Sequence, residues 1–247
     1  MAGKTQDQLY DEFYARTTQQ LDALQQTQRE AVKQAAGVIY GALAAGHRFF
    51  VTGTGHSHML AEEFYTRAGG LASVIPILPT EFLLHEHPLK STVVERLAAY
   101  APVIFEVYGL QAGDVLLIAS NSGRNGLPVE LAMEAKARGL TVIAITSVRG
   151  TAAQTSRHAS GKKLWEVADV VLDNCSVEGD ACCTVDENGQ RMGALSTITG
   201  AYLVQQLSMA VAAAFLADGQ QPPVFMSSNV DGGDAVNRDL FRHFYHV

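Results

Sequence analysis

This chain is short of cysteine, of positive charge and of unbroken apolar runs, and each shortage excludes a class. Its 247 residues include 3 cysteines, Cys175, Cys182 and Cys183. An odd count without CxxC spacing fits a reduced, cytoplasmic protein rather than a disulfide scaffold. The 18 Lys and Arg are outnumbered by 25 Asp and Glu, for a net charge of −7. Such a balance gives no general attraction to nucleic acid or to an anionic membrane. The first residues, Met1 to Gln8, are polar and lack a signal-peptide core. The most apolar segment, Ala201 to Ala217, is broken by Gln205, Gln206 and Ser208, so it reads as a buried helix and not a span. No GxSxG elbow appears, which weighs against covalent acyl chemistry. There is no internal repeat, low-complexity tract or linker, so residues 1–247 read as one domain. Within it, 1–45 is a helical extension, 46–217 the core and 218–247 a tail.

What is present is ample apolar material, 47% of residues, arranged in alternation. Gln6 to Ala45 has helical spacing, with Gly37 or Gly41 as its expected break. Strand-like runs follow at Arg48–Gly53, Ser73–Leu78, Asp114–Ser120, Leu140–Thr146 and Ala168–Asp173. Helix-like segments lie between them at Ser57–Ala68, Ser91–Val107, Asn125–Arg138 and Thr151–Ser160. This pattern predicts an α/β fold, a three-layer αβα sandwich around a mostly parallel five-stranded sheet, preceded by helices. The turn Asp186–Gln190 predicts a hairpin of Ala181–Val185 with Arg191–Ala194, ahead of a helix over Ser196–Leu216. The tail reads as extended at Pro222–Met226, with a last short helix after Gly232-Gly233.

Parallel sheets bind ligands at the carboxyl ends of their strands, and the informative loops fall there. Ser120-Asn121-Ser122-Gly123-Arg124-Asn125 runs from a buried strand through two hydroxyls and a glycine to a helix start. Free helix N–H groups, hydroxyl donors and a close-approach glycine make an anion cradle, with sugar phosphate the first candidate ligand. Gly53-Thr54-Gly55-His56-Ser57-His58 resembles half a dinucleotide fingerprint. Its third glycine is replaced by His58, and no acid ends the next strand, so no nicotinamide cofactor is expected. Ser196-Thr197 opens the late helix, as an N-cap or as a ligand contact. The pairs His56/His58 and His85/His87 read as polar lining of a sugar pocket rather than as a metal site, and no metal or other cofactor is expected. Glu81 and His85, four residues apart, suit a base and a ring-opening acid.

The order of Gly-Thr-Gly-His-Ser, Ser-Asn-Ser-Gly and a late Ser-Thr-led helix resembles the sugar isomerase (SIS) domain over roughly residues 30–217. The resemblance implies a flavodoxin-like five-stranded sheet, a phosphosugar ligand, and a homodimer or homotetramer with sites at subunit interfaces. By motif match it implies that Ser120, Asn121, Ser122 and Asn125 hold the phosphate. Gly53, Thr54, Gly55, Ser57, Ser196 and Thr197 would then complete the pocket. Phosphoheptose isomerases of this family carry a metal-binding histidine and glutamate after the first loop, and the matching positions here are Glu63 and Arg67. In glucosamine-phosphate synthase relatives a catalytic glutamate precedes the Ser-Thr helix. The corresponding region here holds Glu178-Gly179-Asp180, so Asp180 is a further pocket candidate. Arg124, beside an asparagine where the family commonly has threonine, would suit a fully charged or sulfonate-like anion.

The expected activity is aldose–ketose isomerisation of an anionic sugar. Glu81 would move the proton between C1 and C2, His85 or His56 would assist ring opening, and Thr54 and Ser57 would stabilise the enediolate. The alternatives are a phosphosugar-sensing module without catalysis, lyase or etherase chemistry on the same carbons, and isomerisation of a sulfonated sugar.

Overall fold

The computed structural model describes residues 3–87 and 89–246. Helix α1 (Gln6–Thr27) opens on a capping box, in which Thr5 and Gln8 each bond the other's backbone amide. The helical stretch breaks at Gln28, not at Gly37 or Gly41. The Gln28 side chain is buried and accepts the amide of Asp173 at 2.9 Å, which ties this residue to the sheet. Gly37 and Gly41 lie inside α2 (Arg29–Ala44) with open space around them, so neither has reason to end it.

Five parallel strands form the sheet: β1 (Phe49–Gly53), β2 (Val74–Ile77), β3 (Val115–Ala119), β4 (Thr141–Thr146) and β5 (Val170–Asp173), in the order β2-β1-β3-β4-β5. Both β1 and β3 are buried along their whole length, which is why β3 reads as a continuous apolar stretch and β1 as one interrupted only by Thr52. Alternate residues feed two cores. Phe49, Val51, Val115, Leu117 and Ile145 face α2, α3 (His58–Phe64) and, later in the chain, α9 (Ser196–Ala217). Phe50, Leu116, Ile118, Val142 and Ala144 face α5 (Ala101–Tyr108) and α6 (Gly126–Ala137). Each fully buried Leu or Phe contributes about 1.5–3 kcal/mol. The chain leaves β1 toward one edge and returns at β3 on the other side, so the strand order reverses between them. The crevice above that reversal is where doubly wound sheets hold ligands.

The connections differ from the sequence reading in three places. Ser57–Ala68 is a single 3₁₀ turn at Gly55–Ser57 followed by the short α3. Ser91–Val107 splits into α4 (Lys90–Val94) and α5, with a 3₁₀ turn at Ala98–Tyr100. There the Glu95 carbonyl leaves the helical pattern to accept the Leu127 amide of α6 at 2.9 Å, and Pro102 restarts the helix. Thr151–Ser160 is not helical. Only α7 (Val148–Thr151) forms, and the Lys163 ammonium bonds the Thr151 and Ala152 carbonyls at 2.8 and 2.9 Å. Beyond it, Ser156, His158 and Ser160 make local side-chain bonds that compete with a helix. A one-turn α8 (Leu164–Val167) leads into β5.

The hairpin forms as expected, from β6 (Ala181–Thr184) and β7 (Arg191–Ala194). Its Cys182 and Cys183 pack with Leu195 and Phe13 of α1. By length and composition α9 would cross a membrane, yet Leu203, Val204, Leu207 and Val211 on it are fully buried in the core. At Gly200 an added Cβ would lie 2.5 Å from Leu60, so the glycine lets α9 approach α3. The tail pairs Val224 with Leu71, and α10 (Gly233–Tyr245) packs Phe241 and Tyr245 on Phe225.

Candidate functional site

The loop after β3 is a cradle of backbone amides. Among the described residues, the amides of Ser122, Arg124, Asn125 and Gly126 have no acceptor within the chain. The Gly123 amide donates to the Ser120 hydroxyl at 3.2 Å and tightens the loop. Gly123 has φ +55, and a Cβ there would lie 2.7 Å from the Thr146 hydroxyl, so conformation and space both require glycine. The α6 N-terminus contributes less than its sequence promises. The Leu127 amide is taken by Glu95, and Pro128 has none. The anion cradle is therefore the loop itself, a nest of successive N–H groups, rather than the helix end.

The loop after β1 forms the facing wall. The Asn121 amide donates to the Ser57 hydroxyl at 3.4 Å, which joins the two loops across the strand reversal. Between them opens a pocket of about 380 Å³. Thr54, Gly55, His56, Ser57, Ser120, Asn121, Ser122 and Asp180 line it, as the sequence anticipates. Gly53 sits just below, where a Cβ would collide with the Ser57 carbonyl at 2.4 Å, so it shapes the loop. A narrow crevice continues from the pocket past Asn174 to Ser196 and Thr197.

One carboxylate in this pocket escaped the sequence reading. Glu95 follows α4, and its Oε2 accepts the Thr54 hydroxyl at 2.9 Å while its Oε1 accepts the Asn125 amide nitrogen at 2.6 Å. Burial pushes its carboxyl above the ordinary glutamate value, against the opposing pull of the Thr54 hydrogen bond and of Arg96 and Arg157. A carboxyl raised in this way, in a cleft, marks Glu95 as a candidate functional group.

Several expected site residues do other work. Glu81 lies on the 3₁₀ turn Thr80–Phe82 and does not line the pocket. His85 is also outside the lining, with its ring edge-on to His58 at 5.6 Å. The turn at Thr80 and the extended Leu83 keep Glu81 and His85 off a shared helical face. His58 is buried, with Nδ1 on the Gly55 carbonyl and Nε2 3.3 Å from Glu62. The Arg124 guanidinium turns away from the cradle to Gln154 and Thr155. Asn125 holds Glu95 and accepts from Arg157 at 3.0 Å. Asp180 is in the wall with φ +67, but its carboxylate is filled by Ser176 Oγ, Ser196 Oγ and the amides of Leu195 and Ser196. It caps α9, and it thereby occupies the Ser196 hydroxyl expected to reach a ligand.

The comparisons with known proteins bear on the family and the fold. The model of the SIS domain family matches residues 12–147. The chain belongs to the SIS domain family. A UPF0309 protein of Halalkalibacterium halodurans is 45% identical over 235 residues, covering 95% of this chain and 96% of the relative. Among solved structures, a phosphoheptose isomerase from Francisella tularensis superposes with a TM-score of 0.54 at 19% identity, over 84% of this chain and 98% of that one. A phosphoheptose isomerase from Neisseria gonorrhoeae gives 0.54 at 17%, over 85% and 100%. At such identity the likeness establishes the fold. Glu63 and Arg67, the pair singled out in the sequence, do not suit a cation. Glu63 is ion-paired with Arg67 and accepts from Gln205 at 2.6 Å, and an arginine cannot ligate. Among the described residues no three His, Cys, Asp or Glu side chains converge.

Proposed function

We propose that this SIS domain isomerises a phosphorylated sugar between aldose and ketose forms. The observation that carries the reading is the half-buried Glu95 carboxyl in one pocket with Ser120, Asn121 and Ser122 of the loop after β3. The phosphosugar part is supported by the family and by the phosphoheptose isomerase likeness. The cradle amides and the Ser120 and Ser122 hydroxyls hold the phosphate. Exposed His56, on the pocket wall, assists ring opening of the sugar. Glu95 removes the proton from the carbon next to the carbonyl, and an enediolate forms. The Ser57 hydroxyl accepts from Asn121 and keeps its own proton free to donate to the enediolate oxygen. Glu95 then returns the proton to the adjacent carbon, as the hydroxyl proton passes from O2 to O1 and the carbonyl re-forms at C2. A positioned base of this kind contributes about 10²–10⁴ in rate.

The chain acts as a homodimer or homotetramer in this reading. Tyr10 and Tyr14 on α1 are 67% and 74% exposed, and a second copy would cover them. The test is incubation with pentose 5-phosphates and hexose 6-phosphates in D₂O. Deuteration at C1 or C2 together with appearance of the isomer, followed by proton NMR, is the expected result. Binding without exchange would make the domain a sensor. Loss of a substituent would make it a lyase or etherase.

A further inference from the structure

The pocket has a second recognition element on α4, beside the proposed base. Four hydroxyl residues that line the pocket are buried: Thr54, Ser91, Ser120 and Thr151. Three of these hydroxyls are engaged. Thr54 donates to Glu95, Ser120 accepts from the Gly123 amide, and Thr151 donates to the Ser147 carbonyl. Ser91 is 1% exposed, and among the described residues its hydroxyl has no hydrogen-bond partner. A buried hydroxyl left in this state is costly, so it persists where something outside the protein completes it. A helical serine often bonds back to its own preceding turn, and among the described residues Ser91 does not. It lies one turn before Glu95, whose amide donates to the Ser91 carbonyl at 2.9 Å, so the two side chains share a face of α4. The Ser91 hydroxyl also borders the Gly55 backbone, about 4.0 Å from where a Cβ on that glycine would stand. It is therefore held between the β1 loop and the proton-transfer group.

We infer that Ser91 is a specificity residue, which hydrogen-bonds the hydroxyl or amide substituent at C2 of the sugar, one of the carbons on which Glu95 acts. The inference rests on the phosphosugar reading of the same pocket and deepens it. The ligand is a phosphosugar bearing a polar substituent at that position, and its deoxy counterpart is disfavoured. A pocket built to bond a hydroxyl rejects the analogue that lacks it, because its own buried group is left unpaired. Among the described residues no other protein group competes for Ser91, so its bond forms in the complex.

The experiment measures Kd for inorganic phosphate, arabinose 5-phosphate, glucose 6-phosphate, 2-deoxyglucose 6-phosphate and N-acetylglucosamine 6-phosphate, with wild type, Ser91→Ala and Ser91→Cys. Wild type is expected to bind at least one sugar phosphate more tightly than phosphate itself. Both variants are expected to lose about tenfold of that preference while their affinity for inorganic phosphate is unchanged. Ser91→Ala without ligand is expected to melt at the same temperature or higher, because a desolvated hydroxyl is gone. A purely structural serine would instead lower the melting temperature and weaken both kinds of ligand together. Variants that keep the full sugar preference overturn the role of Ser91 alone. A wild type that binds no sugar phosphate better than phosphate overturns the functional reading and this inference with it. Ser91→Cys keeps the side-chain shape with a much weaker donor, so it decides the matter if Ser91→Ala fails to fold.

Discussion

Replacing Glu95 by glutamine separates its chemical part from its structural one. The carboxylate accepts from the Thr54 hydroxyl at 2.9 Å and from the Asn125 amide at 2.6 Å. A glutamine keeps one oxygen for Asn125 and turns its NH₂ toward Thr54, whose hydroxyl is able to accept. Both contacts survive, so the stability change should stay within about 1 kcal/mol. The replacement also removes a carboxylate that burial disfavours, which offsets part of any loss. Proton transfer has no such substitute. Turnover should fall by about 10²–10⁴, equivalent to roughly 2.7–5.5 kcal/mol in the barrier, with little change in KM. The assay is the rate of deuterium incorporation at C1 or C2 of the turned-over sugar phosphate in D₂O. Glu81→Gln serves as the comparison and should keep nearly all activity, since Glu81 is outside the pocket lining. Full turnover by Glu95→Gln, or collapse of Glu81→Gln with its fold intact, would refute the assignment.

Other outcomes follow from the same contacts. The raised Glu95 carboxyl stabilises the fold most when protonated, so its contribution is complete below the ordinary glutamate value of about 4.3 and is lost as pH rises through the higher folded value. The denaturation midpoint of wild type relative to Glu95→Gln should therefore drop with pH over that window and then level off, and a difference independent of pH would contradict the burial argument. Gly123→Ala puts a Cβ 2.7 Å from the Thr146 hydroxyl at φ +55, so it should cost roughly 1–3 kcal/mol by urea denaturation and weaken phosphate-dependent binding more than Ser122→Ala does. Asp180→Ala removes the acceptor for four donors at the start of α9 and should lower stability by about 2 kcal/mol or more, whereas Asp180→Asn should recover part of the loss. Tyr10→Glu with Tyr14→Glu should shift the particle mass toward the monomer in light scattering, and an unchanged mass would remove α1 from the interface.

The legible parts of this molecule are those fixed by local pattern. Val115–Ala119 reads as a central strand because burial on both faces demands a continuous apolar run. The Ser120–Gly123 loop and the Asp186–Gln190 turn read correctly because their residue types meet local backbone needs. Glu95 was hidden inside a segment that reads as one helix. Its importance arises when α6 docks on its carbonyl and when Thr54 and Asn125, 41 and 30 positions away in sequence, close on its carboxylate. The available signal was Pro102, which argues against an uninterrupted helix and leaves Ser91 and Glu95 on a short segment of their own. Asp180 was similarly opaque, since the hairpin separates it from the helix it caps. Arg124 reads as a cradle cation by position, yet its side chain finds acceptors on the 151–157 connection, which was misread as helix.

The most direct test of the site is a crystal structure of the protein with whichever sugar phosphate binds it most tightly. The account predicts the phosphate on the amides of Ser122, Arg124, Asn125 and Gly126, and the C1–C2 end of the sugar within hydrogen-bond reach of Glu95. A phosphate bound elsewhere, for example between Arg16 and Arg149 in the cavity beneath α1, or a sugar turned so that Glu95 faces no reacting carbon, would contradict it.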